Sequence, residues 1–296
     1  MKLFLCFIFG IASLPALCQD KSIVDFTLAY SIIPKNNCDK IELITVLPQN
    51  IYKKQSVLDF QSFPQPDSVY HVGENNYAHY TFQNLATTQQ IIITGKALVY
   101  NYDIGKNLRK ENTILADYKV PDSLQDFIKP ARYIESDDSE IIKEGIALRD
   151  KYLMGTIKNI YKFVQQTITY KPYQMPMGAK FALTKKEGDC NEYSYLFAAL
   201  CRVNGIPVKT ASGIVSWSKD PKIGHAWAEV FITGLGWITF DPIQKIDALH
   251  YLHGQYLYLT SLERDKELHN KHRYYVKTKC SSADYETTWF AKITVE

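Results

Sequence analysis

Between residues 23 and 102 the apolar positions come in short runs that tend to alternate with polar ones. The runs are broken by Gly, Asn and Pro. Residues 23–30 form one such run. Residues 41–46 follow after the turn-rich Pro34-Lys35-Asn36-Asn37, and residues 77–82 and 90–100 supply two more. A period near two with turn residues between runs predicts short strands, here a β-sandwich. Beyond residue 138 the period changes. Asp138 or Ser139 can cap a helix starting at Glu140. A second helix is predicted over 152–167, where Leu153, Ile157, Ile160, Tyr161 and Val164 follow helical spacing towards Ile168. Gly145 and Gly155 predict local breaks in these two helices. A loop is expected from Pro172 to Gly188. A third helix then opens at Cys190, with Tyr193, Leu196, Phe197, Leu200 and Cys201 on one stripe. Asn204-Gly205 ends it, with Pro207 beyond. Residues 208–217, 226–232 and 237–240 read as a strand meander, turning at Gly234-Leu235-Gly236. Residues 120–136 read as a connector.

The pattern therefore predicts an α+β protein. A β-sandwich-like domain covers 19–130, and a second domain runs from 138 to 296. The chain has 296 residues, 46% of them hydrophobic, enough to bury a substantial core. A formal net charge of only +3 offers no electrostatic case for nucleic acid. The 21 tyrosines suit strands and core. Lys2, the apolar run of residues 3–12 and the small-residue end Ala16-Leu17-Cys18 read as a signal peptide over 1–18, cleaved before Gln19. The alternative makes Cys18 a lipidated residue, for which Leu17 is a poor neighbour. Both imply export, to the periplasm or beyond. No later stretch reads as a membrane helix. Of the six cysteines, Cys38, Cys190, Cys201 and Cys280 lie beyond that leader. Cys38 and Cys280 have the option of pairing, which nothing in the sequence requires.

Three segments carry chemistry: Gly188-Asp189-Cys190-Asn191-Glu192-Tyr193, Gly224-His225-Ala226-Trp227-Ala228-Glu229, and Gly236-Trp237-Ile238-Thr239-Phe240-Asp241-Pro242. A thiol, an imidazole and a carboxylate are the parts of an activated cysteine nucleophile. A helix N-terminus offers partial positive charge and free N–H groups, which favour a thiolate and provide one oxyanion donor. Cys201, deep on the apolar stripe, reads as inert. A hairpin about Gly234–Gly236 does not set His225 squarely opposite Asp241, so a bulge or a diagonal contact is needed. His250 and His253 lack a convincing third ligand, His269 and His272 read as part of a solvated charged stretch, and no acidic calcium loop is found. No metal and no cofactor is expected.

In this order, these segments resemble the transglutaminase-like superfamily of papain-like thiol enzymes. Gly205-Ile206-Pro207-Val208-Lys209 and Ser212-Gly213 belong to the same pattern, which covers about 138–245. Residues 47–55, Pro64-Gln65-Pro66 and Gly73-Glu74-Asn75 are similar to the β-domain preceding this core in exported bacterial members. The resemblance implies a nucleophile helix packed on an antiparallel sheet. It also implies Cys190 as nucleophile, His225 as general base and acid, and Asp241 as the orienting residue. A side chain upstream of the nucleophile would complete the oxyanion hole: Tyr170, with Gln165 and Gln166 as alternatives. Three activities remain open on these grounds. They are hydrolysis of a peptide-type amide in a peptide or protein substrate, transfer of the acyl group to an amine, and a binding module that retains the fold.

Overall fold

The computed structural model describes residues 21–52, 54–100, 113–216, 224–244, 256–262, 265–269 and 271–296. The leader at 1–18, and His250 with His253, lie outside the described residues.

The first strand, β1 (Lys21–Pro34), buries every second residue: Val24, Phe26, Leu28, Tyr30 and Ile32. Those side chains form one wall of a sandwich. β1 pairs antiparallel with β6 (Gln89–Tyr100), and β6 with β3 (Gln55–Phe63). The facing sheet contains β2 (Cys38–Leu47), β5 (Asn75–Leu85) and β4 (Ser68–Val72). β3 and β4 are edge strands of mostly exposed residues, so they leave no alternating pattern in the sequence. The expected strands at 23–30, 41–46, 77–82 and 90–100 are all present, the first three extended by several residues and the last by one.

The other edges hold a departure from expectation. β13 (Tyr274–Thr278) pairs with β2, and β14 (Tyr285–Val295) pairs with β1 over eleven residue pairs, Val24↔Val295 to Pro34↔Tyr285. The expected second domain runs to residue 296, but the last strands complete the N-terminal sandwich. β14 alternates between more and less buried positions, whereas β13 shows no such alternation. What such a pattern cannot carry is the identity of a partner more than 200 residues away. A Cys38–Cys280 disulfide closes the same edge, across a sequence separation of 242.

Between these strands lies the mixed core. It contains α1 (Ser139–Ala147), α2 (Leu153–Thr167), α3 (Ala179–Lys185) and α4 (Cys190–Val203). Its sheet has the order β11-β10-β9-β12, made of β9 (Val208–Val215), β10 (His225–Ile232), β11 (Gly236–Phe240) and β12 (Tyr256–Ser261). The expected meander is β9, β10 and β11. Asp138 caps α1 through Glu140 N at 3.0 Å.

Three helical expectations need correction. Gly145 and Gly155 break nothing. A Cβ on Gly145 would stand 2.8 Å from Val203 Cγ1, and one on Gly155 would stand 2.3 Å from Asp150 Oδ1, so both glycines permit close approach. The loop expected over 172–188 contains α3, whose first N–H groups are held by Glu135, a distant residue that no local capping signal reveals. And α4 is not striped. Every residue from Glu192 to Arg202 is buried, because the other helices and the sheet enclose it.

β12 joins the two halves of the protein. The Gln55 side chain accepts from Tyr258 N at 2.8 Å and donates to Tyr258 O at 3.0 Å. Gln49 donates to Leu259 O, and Asn75 bonds both N and O of Ser261. Three buried amides thus satisfy the backbone of an edge strand that would otherwise bury bare polar groups. On the same face Glu229 takes Lys54 and Lys209 as ion-pair partners, the latter at 3.6 Å. Burial opposes its charge most strongly, but the two ammonium groups outweigh that and hold the carboxyl below its ordinary value.

Candidate active site

Cys190 is the first residue of α4 and is 9% exposed. The turn before it is fixed by a reciprocal cap. Asp189 accepts from Asn191 N at 2.9 Å, while Glu192 returns to Asp189 N at 3.0 Å. The other Glu192 oxygen accepts from Met177 N at 2.8 Å, tying the 171–178 loop to the site. Glu192 is buried, and burial above all pushes its carboxyl up. Gly188 is required here, since a Cβ would stand 2.2 Å from Glu192 Cβ. The Asp189-x-x-Glu192 spacing is a capping-box signature that sequence reading missed.

His225 opens β10, with Trp227 and Glu229 on its face and Ala226, Ala228 and Val230 on the face that packs against α4. The register pairs Ala228 with Phe240, which puts Asp241 opposite Trp227 and makes its contact with His225 diagonal. That contact is short: His225 Nε2 to Asp241 Oδ2 is 2.6 Å. The diagonal alternative posed by the sequence is the one realised. With Nε2 so engaged, Nδ1 is left for the Cys190 thiol, which is a hydrogen-bonding partner of the ring. Burial is the largest influence on the imidazole and pulls it down. The Asp241 carboxylate, with Cys190 on the other side, outweighs burial and pushes His225 up to about 10. The ring therefore carries its proton at neutral pH.

Asp241 is held from two further elements that the sequence did not point to. Tyr256 on β12 donates to the same Oδ2 at 2.7 Å. Tyr161 on α2 donates to the backbone carbonyls of Asp241 and Gln244, the latter at 2.7 Å. Neither tyrosine stands near the carboxylate in sequence. Only the packing of β12 beside β9 and of α2 beneath the Asp241 turn brings them in.

Tyr170 lies on β7 (Thr169–Tyr170), which pairs in parallel with β8 (Glu187–Gly188), Tyr170 opposite Gly188. It is 54% exposed. Partial burial, then the negative charge of Cys190, raises its phenol, so the hydroxyl stays a donor. Gln165 turns away to the Gln244 carbonyl. Cys201 is fully buried in α4, where burial pushes its thiol up. His272 is half-buried rather than fully solvated, contrary to expectation, and desolvation lowers it to about 4, so it is neutral at ordinary pH. Among the described residues no cluster of His, Cys, Asp and Glu could hold a metal ion, and no helix is long and apolar enough to cross a membrane.

A helix-borne thiol facing a sheet-borne imidazole and carboxylate is the arrangement of the papain-like thiol enzymes. Comparison narrows the class: residues 142–242 match the transglutaminase-like superfamily, so the chain carries a transglutaminase-like core. The uncharacterized protein YebA of Bacillus subtilis is 23% identical over 137 residues, which is 42% of this chain and 18% of that protein. The chain thus spans under a fifth of that relative's length. A protein from Cytophaga hutchinsonii, provisionally described as a cysteine protease, superposes with a TM-score of 0.70. It is 15% identical, and the match covers 93% of this chain and 91% of that one. That likeness is one of fold, and it extends to the N-terminal β-rich region. The periplasmic domain of TgpA from Pseudomonas aeruginosa matches more loosely, at a TM-score of 0.38, 11% identity, and 73% and 87% coverage.

Proposed function

We propose that the protein is an exported thiol hydrolase that cleaves peptide-type amides. The observation that carries this reading is the Cys190–His225–Asp241 line, anchored by the 2.6 Å His225–Asp241 contact. In this reaction the Cys190 thiolate adds to the amide carbonyl carbon. The oxyanion takes hydrogen bonds from the Cys190 N–H and the Tyr170 hydroxyl. His225 gives its proton to the leaving nitrogen as the C–N bond breaks, which leaves a thioester and a free amine. Water then adds to the thioester while His225 takes its proton. The thiolate departs and a carboxylic acid is released. Asp241 keeps the ring oriented and stabilises its charged form throughout. Export is supported by the leader-like N-terminus and by the Cys38–Cys280 disulfide, a bond suited to an oxidising compartment.

The test starts with iodoacetamide labelling of the native protein, read by peptide mass mapping. Cys190 should label far faster than Cys201, and His225→Ala should remove the advantage. Equal labelling of the two cysteines, or indifference to His225, sinks the reading. A peptide library should then be cleaved by the wild-type chain and left whole by Cys190→Ala. Amine adducts forming in place of free acids when an amine is added would replace hydrolysis by transfer.

A further inference from the structure

Arg273 stands at the mouth of this site and is used by none of the chemistry above. It precedes β13, and its backbone is pinned to β2: its carbonyl accepts from Val46 N at 3.1 Å and from Thr45 Oγ1 at 3.1 Å. Its guanidinium lies over the Trp289 indole at 4.0 Å. On the other side it is pressed against the backbone just before His225. A Cβ on Gly224 would stand 2.6 Å from a terminal guanidinium nitrogen and 2.7 Å from Nε, so with glycine there the guanidinium lies directly against the backbone. The guanidinium is thus clamped between an aromatic plane and the strand that bears His225.

What it lacks is a partner. A guanidinium has five N–H donors in a planar fork. Among the described residues, that of Arg273 makes neither a hydrogen bond nor an ion pair. Cys190 and Asp189 act on it electrostatically, through space only. Asp189 already spends its carboxylate on Asn191 and the cap of α4. Tyr30 and Tyr274 also face the group, and burial raises the Tyr30 phenol. Removing a charged fork from much of its water without pairing it is unfavourable. The residue as a whole is partly exposed rather than buried. A planar fork held rigid beside a nucleophile matches a carboxylate, which it can bind with two parallel hydrogen bonds.

We propose that Arg273 is a substrate-binding residue that receives a carboxylate lying close to the amide attacked by Cys190, so that the substrates are acidic peptides or peptides cut near a free C-terminus. This rests on the thiol-hydrolase reading and adds a substrate class to it. A carboxylate so placed docks opposite Trp289 and Gly224 and holds the neighbouring carbonyl over the α4 N-terminus.

The test uses two alkylating agents of nearly equal size, iodoacetate and iodoacetamide. In both reactions the Cys190 sulfur forms a bond to carbon and iodide leaves with the electron pair. Only iodoacetate carries a carboxylate. The charge of His225 favours iodoacetate in every variant that keeps it, so the quantity of interest is the change in the rate ratio. Arg273→Gln should lower the iodoacetate-to-iodoacetamide ratio at Cys190 by about tenfold or more, as expected for loss of a charge-assisted bidentate contact. A ratio unchanged within about twofold, including the case where both rates fall together, assigns Arg273 to the thiol rather than to a ligand and overturns the proposal.

The unmodified protein gives a second measurement if that variant does not fold. N-acetylglycine and N-acetylglutamic acid α-amide should each be compared with the corresponding full amide as protectants of Cys190 against iodoacetamide. Protection by the first acid marks a terminal carboxylate, and protection by the second marks an acidic side chain. Equal protection by acids and amides rejects the site. If Cys190 labels no faster than Cys201 with either reagent, the hydrolase reading fails and takes this inference with it. A reactive Cys190 with no carboxylate preference removes the inference alone.

Discussion

At the scale of single residues, the Asp241 carboxylate is the pivot. One oxygen takes both the His225 ring and the Tyr256 hydroxyl, while the other accepts from Ile243 N at 3.3 Å. Asp241→Asn keeps the shape and removes the charge that holds the imidazolium. Because the folded ring titrates near 10, we expect little change in Cys190 alkylation at neutral pH and a loss of up to about tenfold per pKa unit removed only at alkaline pH, above the variant's lowered ring value. Rate-against-pH profiles for the wild type and this variant check it, and the upper limb should move to lower pH in the variant. His225 also makes a stability prediction with a definite sign. Its folded value, about 10, lies above the ordinary 6.5, so between those limits the native state binds more protons than the unfolded chain. The contribution is therefore complete below pH 6.5 and is lost as pH rises through 10. The difference in urea midpoint between the wild type and His225→Gln should shrink steadily over that window. A difference that grows with pH contradicts the charged ring.

At the scale of elements, close packing overrides helix propensity. Alanine at an exposed helical glycine usually adds about 0.5–1 kcal/mol of stability. At Gly145 the sign should reverse, because a Cβ there meets Val203 on α4 at 2.8 Å. Gly145→Ala should cost about 1–3 kcal/mol, the usual scale of overpacking. Adding Val203→Ala should recover part of the loss, as urea unfolding in a double-mutant cycle would show. The predicted breaks at Gly145 and Gly155 went wrong for this reason. Sequence shows that a residue lacks a Cβ, and only the neighbouring element shows whether flexibility or space is what that serves. The start of α4 was legible, because a glycine-containing loop running into an apolar stripe is a local signal. The all-round burial of that helix was not, because it depends on what encloses it.

For the whole molecule, the site depends on a sandwich that the transglutaminase-like segment of 142–242 does not include. Gln49, Gln55 and Asn75 come from the stretches that resemble the N-terminal domain of exported relatives. The structure gives those stretches a physical task, which is to pair the backbone of β12 and so to place Tyr256 against Asp241. Gln55→Ala strands Tyr258 N and O. It should destabilise the protein by about 1–3 kcal/mol, as for an unpaired buried polar group. It should also slow Cys190 alkylation, although residue 55 touches none of the site residues. Unchanged alkylation in a folded variant shows that the sandwich does not set the site. Removing the Cys38–Cys280 link by Cys38→Ser should cost about 2–5 kcal/mol, read as a lower urea midpoint that added reductant reproduces in the wild type.

The sequence by itself determined what depends on near neighbours. It marked the strand periods of the sandwich, the cap and start of α1, the thiol at the head of α4, and the hairpin that brings His225 and Asp241 to adjacent strands. Those follow from backbone geometry and turn chemistry over a few residues. Only the tertiary structure decided that β13 and β14 close the first domain, that Tyr256 and Tyr161 hold Asp241, and that the Arg273 guanidinium, unpaired among the described residues, stands beside Gly224. Those contacts join residues from 15 to more than 200 positions apart by packing them together. An apolar or polar pattern says that a residue needs a partner, and only the folded chain says which partner it finds.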